Sequence, residues 1–407
     1  MKILISCFGS GGDLFPLLPI ADELSSTGDD VTFACPRTLG LYLRALGFPT
    51  MGLGCGDETR VLHDDTLFTT AQGGWASWGA TWDDYVTPAL VESVAVLARA
   101  IDAARPDVVV TTSFAAAARI AALHAGVPHV ALSMYPQHHR MTGAPGDVAP
   151  ADFAPRYRRL ATDLAGPRAI DTYGEALVLW GVDPAGAILH DRALLGSPAV
   201  LSGCEVTGFP YWDSEQLAAA GELTDTLAWL RSSSDPAVII TQGSFIGQRG
   251  IDAWHAAVDA VTTLDVRAVL VGARGPWGDD GCTRPSPLRA TGYLPLSQLA
   301  PEAQAAIHHG GLGTTFAFVR AGVPAVVRPQ AFDQSFNATL IDQAGVGVDA
   351  SNRDVSLASH LATVLSTGTA CGAGGGPDGC TSIRHRLVDA PTAAARLARR
   401  IRAAVPG

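Results

Sequence analysis

Apolar positions along the chain fall into two alternating series. In the first, short β-branched runs, KILISCF (2–8), DVTFAC (30–35), DVVVTT (107–112) and HVALSM (129–134), alternate with LFPLLPIADELSST (14–27), PRTLGLYLRALG (36–47), LVESVAVLARAIDAA (90–104) and AAAARIAALHAG (115–126). The runs suit strands buried on both faces, and the longer segments carry the apolar stripe of helices that cover them. A second series starts after Pro236 with AVIITQ (237–242), VRAVLVG (266–272), AAIHH (305–309) and AVV (325–327), with helices expected from about Asp252, Leu312 and Asp333. Such alternation predicts an α/β protein with parallel sheets and right-handed crossovers. Two series predict two Rossmann-like halves, joined near GFPYWDS (208–214), and PTAAARLARRIRAAV (391–405) reads as an amphipathic terminal helix with proline at its start. The expected division is residues 1–206, a linker at 207–214, residues 215–389, and a C-terminal helix at 390–407.

Two long segments break the alternation. Residues 55–84 and 135–159 are turn-rich and follow predicted strands of the first half, which places them at the carboxyl edge of that sheet, where open α/β proteins bind ligands. Trp75 and Trp78 in one, with Tyr135 and His138 in the other, suggest a pocket with aromatic walls; scattered surface aromatics would give the same pattern. The Gly-rich stretch STGTACGAGGGPDGC (366–380) reads as an insertion.

Composition supports two packed domains. At 407 residues the chain exceeds what one core accommodates, and 47% hydrophobic against 16% charged residues excludes disorder. A net charge of −11 argues against nucleic acid or an anionic membrane surface as partner. No run approaches a membrane span, and the apolar stretch Ile3–Phe8 is too short for a secretory signal, so a cytoplasmic location is expected. Seven cysteines, without CxxC or zinc spacing, read as thiols.

The chemistry concentrates at HHGGLGTT (308–315). A strand ending at His309, then glycines, then a helix start aims main-chain N–H groups and the helix dipole at one point, which suits a phosphate. His309 and Thr314 add side-chain donors, Gly311 and Gly313 allow close approach, and Ser244 in TQGSFIG (241–247) is placed to reach the same anion. The plainer alternative is a tight turn with a buried histidine pair, and His308, on the other strand face, is expected to be packed. It is not a Walker loop, and in FGSGGDL (8–14) Leu14 stands where a dinucleotide fingerprint needs its third glycine. In RPQAFDQSFNA (328–338), Asp333 and Gln334 suit vicinal hydroxyls, as a sugar presents, although a lone aspartate there is ordinarily an N-cap. Asp13, after the first strand, is either a proton acceptor or a cap for a helix beginning near Leu14.

At these residues the sequence resembles the nucleotide-sugar-dependent glycosyltransferases of the two-Rossmann-domain GT-B type, above all the bacterial enzymes that glycosylate antibiotics, and also sterol glucosyltransferases. GSGGDLFPLLPIADEL (9–24) is similar to the family's opening, HHGGLGTT to its HHGGAGT box, and FDQSFNA (332–338) to its DQxxNA end. The resemblance implies two parallel-sheet domains facing across a cleft, with the C-terminal helix crossing back to the first. It assigns the donor diphosphate to His309, Gly311, Gly313, Thr314 and Ser244, the donor sugar to Asp333 and Gln334, and the nucleobase to the main chain of Leu294 in YLP (293–295). Asp13 matches the general base. The implied reaction is inverting transfer from a TDP- or UDP-sugar to a hydroxyl of a small-molecule natural product, without cofactor or metal, by a monomer or weak dimer. The sequence has no DxD motif of the kind that holds a metal-bridged diphosphate. Two departures are Thr111-Thr112-Ser113 where relatives orient a histidine base with an aspartate, and Gly11 where they often carry arginine. A nucleotide-sugar epimerase or an idle sugar-nucleotide-binding accessory protein would share the donor half, but neither accounts for Asp13 together with the long acceptor loops.

Overall fold

The computed structural model describes residues 1–8, 10–53, 87–112, 115–134, 159, 162–163, 186–195, 205–243, 248–273, 287–330, 333–367 and 383–406. The chain forms two compact units. The first takes the N-terminal half through Trp212 and resumes at Val388, and the second contains Asp213–Leu387.

The first unit runs β1 (Lys2–Ser6), α1 (Gly11–Leu14), α2 (Leu18–Ser26), β2 (Asp30–Cys35), α3 (Arg37–Ala45), β3 (Thr50–Gly52), α4 (Thr87–Ala104), β4 (Val108–Thr112), α5 (Ala116–Ala125), β5 (His129–Ser133), β6 (Ala187–Ile188), α6 (Arg192–Leu195) and β7 (Glu205–Val206). Its sheet has the order β3-β2-β1-β4-β5-β6-β7, and every pairing is parallel. Ile3, Leu4 and Ile5 of β1 lie between Val31–Phe33 of β2 and Val108–Val110 of β4, covered on both faces, which is why these strands read as unbroken apolar runs.

The second unit runs α7 (Glu222–Arg231), β8 (Ala237–Thr241), α8 (Gln248–Thr263), β9 (Arg267–Val271), β10 (Leu288–Thr291), α9 (Leu296–Leu299), β11 (Ala305–His308), α10 (Leu312–Ala321), β12 (Ala325–Val327), α11 (Gln334–Gln343), β13 (Gly347–Asp349) and α12 (Leu357–Thr367). Its parallel sheet has the order β10-β9-β8-β11-β12-β13. The core gathers Val238, Ile240, Leu270, Ile307 and Val326 from the strands with Trp254, Val261, Leu361 and Val364 from the helices. This is the α/β architecture of two Rossmann-like parallel sheets that the patterning predicts.

The last helix, α13 (Ala390–Ala403), belongs to the first unit. Asp389 caps it by accepting the Thr392 N–H at 2.8 Å, and proline occupies its first turn. Ala394, Leu397, Ala398 and Ile401 form its buried stripe, which packs on α2. Burying Leu397 and Ile401 contributes about 1.5–3 kcal/mol each. At its end, Arg402 donates through Nε at 2.9 Å to Asp29, the residue before β2.

Five strands escape the sequence patterning: β3, β6, β7, β10 and β13. Each has two to four residues and most lie toward the sheet edges, where a long apolar run is not required. Helices α7 and α12 lie outside the predicted alternation, and α8 starts at Gln248, ahead of Asp252. Among the described residues, no helix is long and apolar enough to cross a membrane.

Candidate active site

In both sheets the strand order reverses beside the first strand of the unit, between β1 and β4 and between β8 and β11. The crevice outside the carboxyl ends of such neighbouring strands is where open α/β sheets bind ligands. In the second unit, Thr241 of β8 pairs with His308 of β11, so Gln242–Gly243 and His309–Gly311 leave the sheet side by side.

The two histidines diverge. His308 is fully buried, stacks on Phe318 at 5.5 Å between ring centroids, and accepts the Gly310 N–H on Nδ1 at 3.0 Å. Burial, aided by His309, pushes its pKa down to about 3, so it is a neutral structural group. The His309 ring lies against the main chain of two glycines. A Cβ at Gly243 would lie 2.7 Å from its Cε1, and one at Gly311 would collide with Nε2. Among the described residues its Nδ1 has no hydrogen-bond partner, and burial lowers its pKa to about 4, only partly opposed by the Thr241 backbone. At neutral pH it is an uncharged imidazole, so the positive end of this site comes from the helix behind it.

That helix is α10. Gly310 bends the chain into it with φ of 94°, and a Cβ there would meet Gln334 O and Val327 Cγ1, each at 2.9 Å. Gly311 is the N-cap and offers no side chain, and the Thr315 N–H bonds Gly311 O at 2.9 Å. The N–H groups of Leu312, Gly313 and Thr314 precede any intrahelical acceptor and form an anion-binding terminus. Among the described residues, nothing beyond the helix's own backbone lies within 4 Å of where a Cβ of Gly313 would sit, and Thr314 is half-buried.

Asp333 and Gln334 begin α11 against this turn. Asp333 occupies the N-cap position with φ of −73° and ψ of −7°, and its side chain makes no cap hydrogen bond, because that helical backbone turns the carboxylate away from the first N–H groups. The ordinary capping role is therefore excluded. The carboxylate instead accepts from Asn337 Nδ2 at 2.7 Å, and burial raises its pKa to about 7. Gln334 Oε1 accepts the Gln330 N–H at 2.8 Å, and Gln330 Nε2 donates to Gln242 Oε1 at 2.7 Å. Gln242, Gln330 and Asn337 are buried polar members of the site that motif reading passes over.

Leu294 follows β10 with a buried side chain, so its loop presents main chain. The loop is pinned where the Gly292 N–H donates to Glu222 Oε1 at 3.2 Å.

In the first unit, Asp13 follows β1 at the reversal point. The helix starts at Gly11, ahead of Leu14, and Ser10 is its cap. Gly12 N–H donates to Ser10 Oγ at 3.1 Å and Ser10 N–H to Asp13 Oδ2 at 3.0 Å. Asp13 is thus the acid of a reciprocal capping box rather than the cap itself, because a serine three residues ahead can accept what an aspartate in the helix cannot. Beside it, Thr111 Oγ1 lies 2.8 Å from His129 Nε2 and the buried Arg119 donates to the Thr112 carbonyl at 2.7 Å. Ser244, Trp75, Trp78, Tyr135 and His138 lie outside the described residues.

Residues 256–373 match the family model of the erythromycin biosynthesis protein CIII-like C-terminal domain. Over 393 residues the chain is 28% identical to glycosyltransferase GtfE of Amycolatopsis orientalis, covering 86% of this chain and 85% of the relative. A sterol 3-beta-glucosyltransferase of Pichia angusta is 31% identical over 40% of this chain, a match that spans 14% of that longer protein. The structure of glycosyltransferase VinC in complex with dTDP superposes with a TM-score of 0.69 at 20% identity, covering 99% of this chain and 100% of VinC. Over residues 256–373 the chain is thus similar to the EryCIII-like C-terminal domain, over most of its length it is similar to an antibiotic glycosyltransferase, and its two units share the GT-B fold of VinC.

Proposed function

We propose that the chain transfers a sugar, with inversion and without a metal, from a TDP- or UDP-sugar to a hydroxyl of a small-molecule natural product. In the donor half, the terminus of α10, Thr314 and the neutral His309 imidazole take the diphosphate. Asp333 and Gln334 take sugar hydroxyls, and the main chain at Leu294 takes the base. Asp13 removes the proton of the acceptor hydroxyl. The oxygen bonds the anomeric carbon on the face opposite the diphosphate, and the carbon–oxygen bond to the diphosphate breaks with its electron pair passing to phosphate. A single displacement inverts the configuration.

The observation that carries this reading is the convergence, outside β8 and β11, of a neutral imidazole, an open helix terminus and a buried carboxylate–amide pair. A phosphate alone would not call for the last of these. The relationship to GtfE and the dTDP held by VinC favour a nucleoside diphosphate as the anion.

Thermal-shift measurements test the donor half. TDP or UDP at about 100 times its dissociation constant stabilises by about 2.7 kcal/mol, whereas GDP is expected to shift the midpoint little. No shift with any of the three would remove the donor assignment. Turnover is expected to survive EDTA. Its loss, with recovery on adding Mg²⁺, would contradict metal-independent transfer.

A further inference from the structure

We propose that Asn337 is a positioning residue of the donor site, whose single amide nitrogen ties the main chain of the histidine–glycine turn to the carboxylate of Asp333. This deepens the function proposed above and rests on it. Asn337 Nδ2 donates at 2.8 Å to the Gly310 carbonyl and at 2.7 Å to Asp333 Oδ2, so both of its N–H bonds are spent on the two parts of the donor site. The helix makes this arrangement possible. Asp333 and Asn337 are four residues apart, on one face of the first turn of α11, and the Asn337 N–H bonds Asp333 O at 2.9 Å. The side chain is 1% exposed, so it acts through its neighbours and does not touch a substrate.

The clasp has two consequences. Gly310 is the bend that aims the α10 terminus, and its carbonyl is fixed by a group from α11. The anion-binding turn and the sugar-binding carboxylate therefore move as one piece. Asn337 also bears on the charge of Asp333. Burial is the largest influence on that carboxyl and raises its pKa to about 7, while the Asn337 hydrogen bond and the residue's own backbone hold it down; among the described residues no charged side chain contributes. Above that pH the carboxylate accepts from sugar hydroxyls, and below it the group is protonated and that capacity falls. Removing Asn337 leaves burial less opposed, so the pH at which sugar binding is lost on the acid side moves upward. Asparagine is required because both partners are acceptors: aspartate, of the same shape, would set oxygen against oxygen.

The test measures the affinity of the full chain for UDP-glucose and TDP-glucose, and separately for UDP and TDP, between about pH 5.5 and 9. Wild type, Asn337→Ser, Asn337→Asp and Asp333→Asn are compared, with thermal midpoints recorded for each. Wild type is expected to lose nucleotide-sugar affinity as pH falls through about 7. Asn337→Ser is expected to bind the nucleotide sugar about tenfold more weakly at pH 7, with its acid limb displaced upward by about one pH unit. Asn337→Asp is expected to show a larger displacement, and Asp333→Asn no limb. An acid limb at the wild-type position in folded Asn337→Ser would overturn the inference. Should both Asn337 variants fail to fold, a wild-type limb that persists in Asp333→Asn would overturn it instead, since the limb would then not belong to that carboxyl. Absence of any nucleotide binding by wild type would overturn the proposed function and this inference with it.

Discussion

Exchanging Asp13 for asparagine is expected to lower turnover by about 10²- to 10⁴-fold while leaving nucleoside diphosphate affinity unchanged. The replacement is chosen from the capping box. Asp13 Oδ2 accepts the Ser10 N–H at 3.0 Å, and an amide oxygen accepts it equally well, so the turn after β1 keeps its shape while the proton acceptor is lost. Alanine would remove both at once, costing about 0.5–2 kcal/mol of stability and obscuring the chemistry. Single-turnover transfer measured beside TDP binding distinguishes the outcomes. Asparagine with wild-type turnover would remove Asp13 from the reaction, whereas loss of turnover together with loss of TDP binding would mean the change had reached beyond proton transfer.

Replacing His309 by alanine is expected to reduce turnover by about 10²- to 10³-fold, in line with removing one donor aimed at developing charge, and to weaken TDP binding as well. The imidazole lies against the main chain of Gly243 and Gly311, where a truncated side chain leaves space that water can enter. Since burial puts its pKa at about 4, the free protein holds the ring neutral across the range in which the enzyme would work. A diphosphate beside it pulls that pKa upward, because the charged imidazolium is stabilised by the anion. Binding of TDP is therefore expected to take up protons, most clearly toward acid pH. Calorimetry in buffers of different ionisation enthalpy reads this directly, and equal heats across buffers in wild type would show that the ring stays neutral in the complex.

The central strands of both sheets are visible in the sequence because parallel strands covered on both faces carry an unbroken apolar middle, as Ile3–Ile5 and Val238–Ile240 do. The short strands are not, because two residues such as Ala187–Ile188, between β5 and the edge strand β7, complete the ladder without leaving a pattern. The site divides in the same way. HHGGLGTT announces its turn through local spacing, whereas the cap of α1 proves to be Ser10 and not Asp13, because the helix begins at Gly11. The polar network cannot be read locally, since Gln330 meets Gln242 across 88 positions and Asn337 meets Gly310 across 27. Asp333 was legible as a polar residue at a helix start, but whether it caps depends on backbone angles that only the folded chain displays.

The return of α13 to the first unit bears on how such proteins can be recombined. The chain leaves the first unit after Trp212 and re-enters at Val388, and within that unit the two ends adjoin: Val388 N–H donates to Asp191 at 2.7 Å, and a Cβ on Gly208 would sit 2.8 Å from Val388 Cβ. The second unit is thus an insert with both ends stitched into its host. A chimera built by one crossover near 213 would give the host a foreign closing helix, with no assurance of a match for the α2 groove or for Asp29. Grafting 213–387 as a cassette, with the native tail restored, keeps that seam intact.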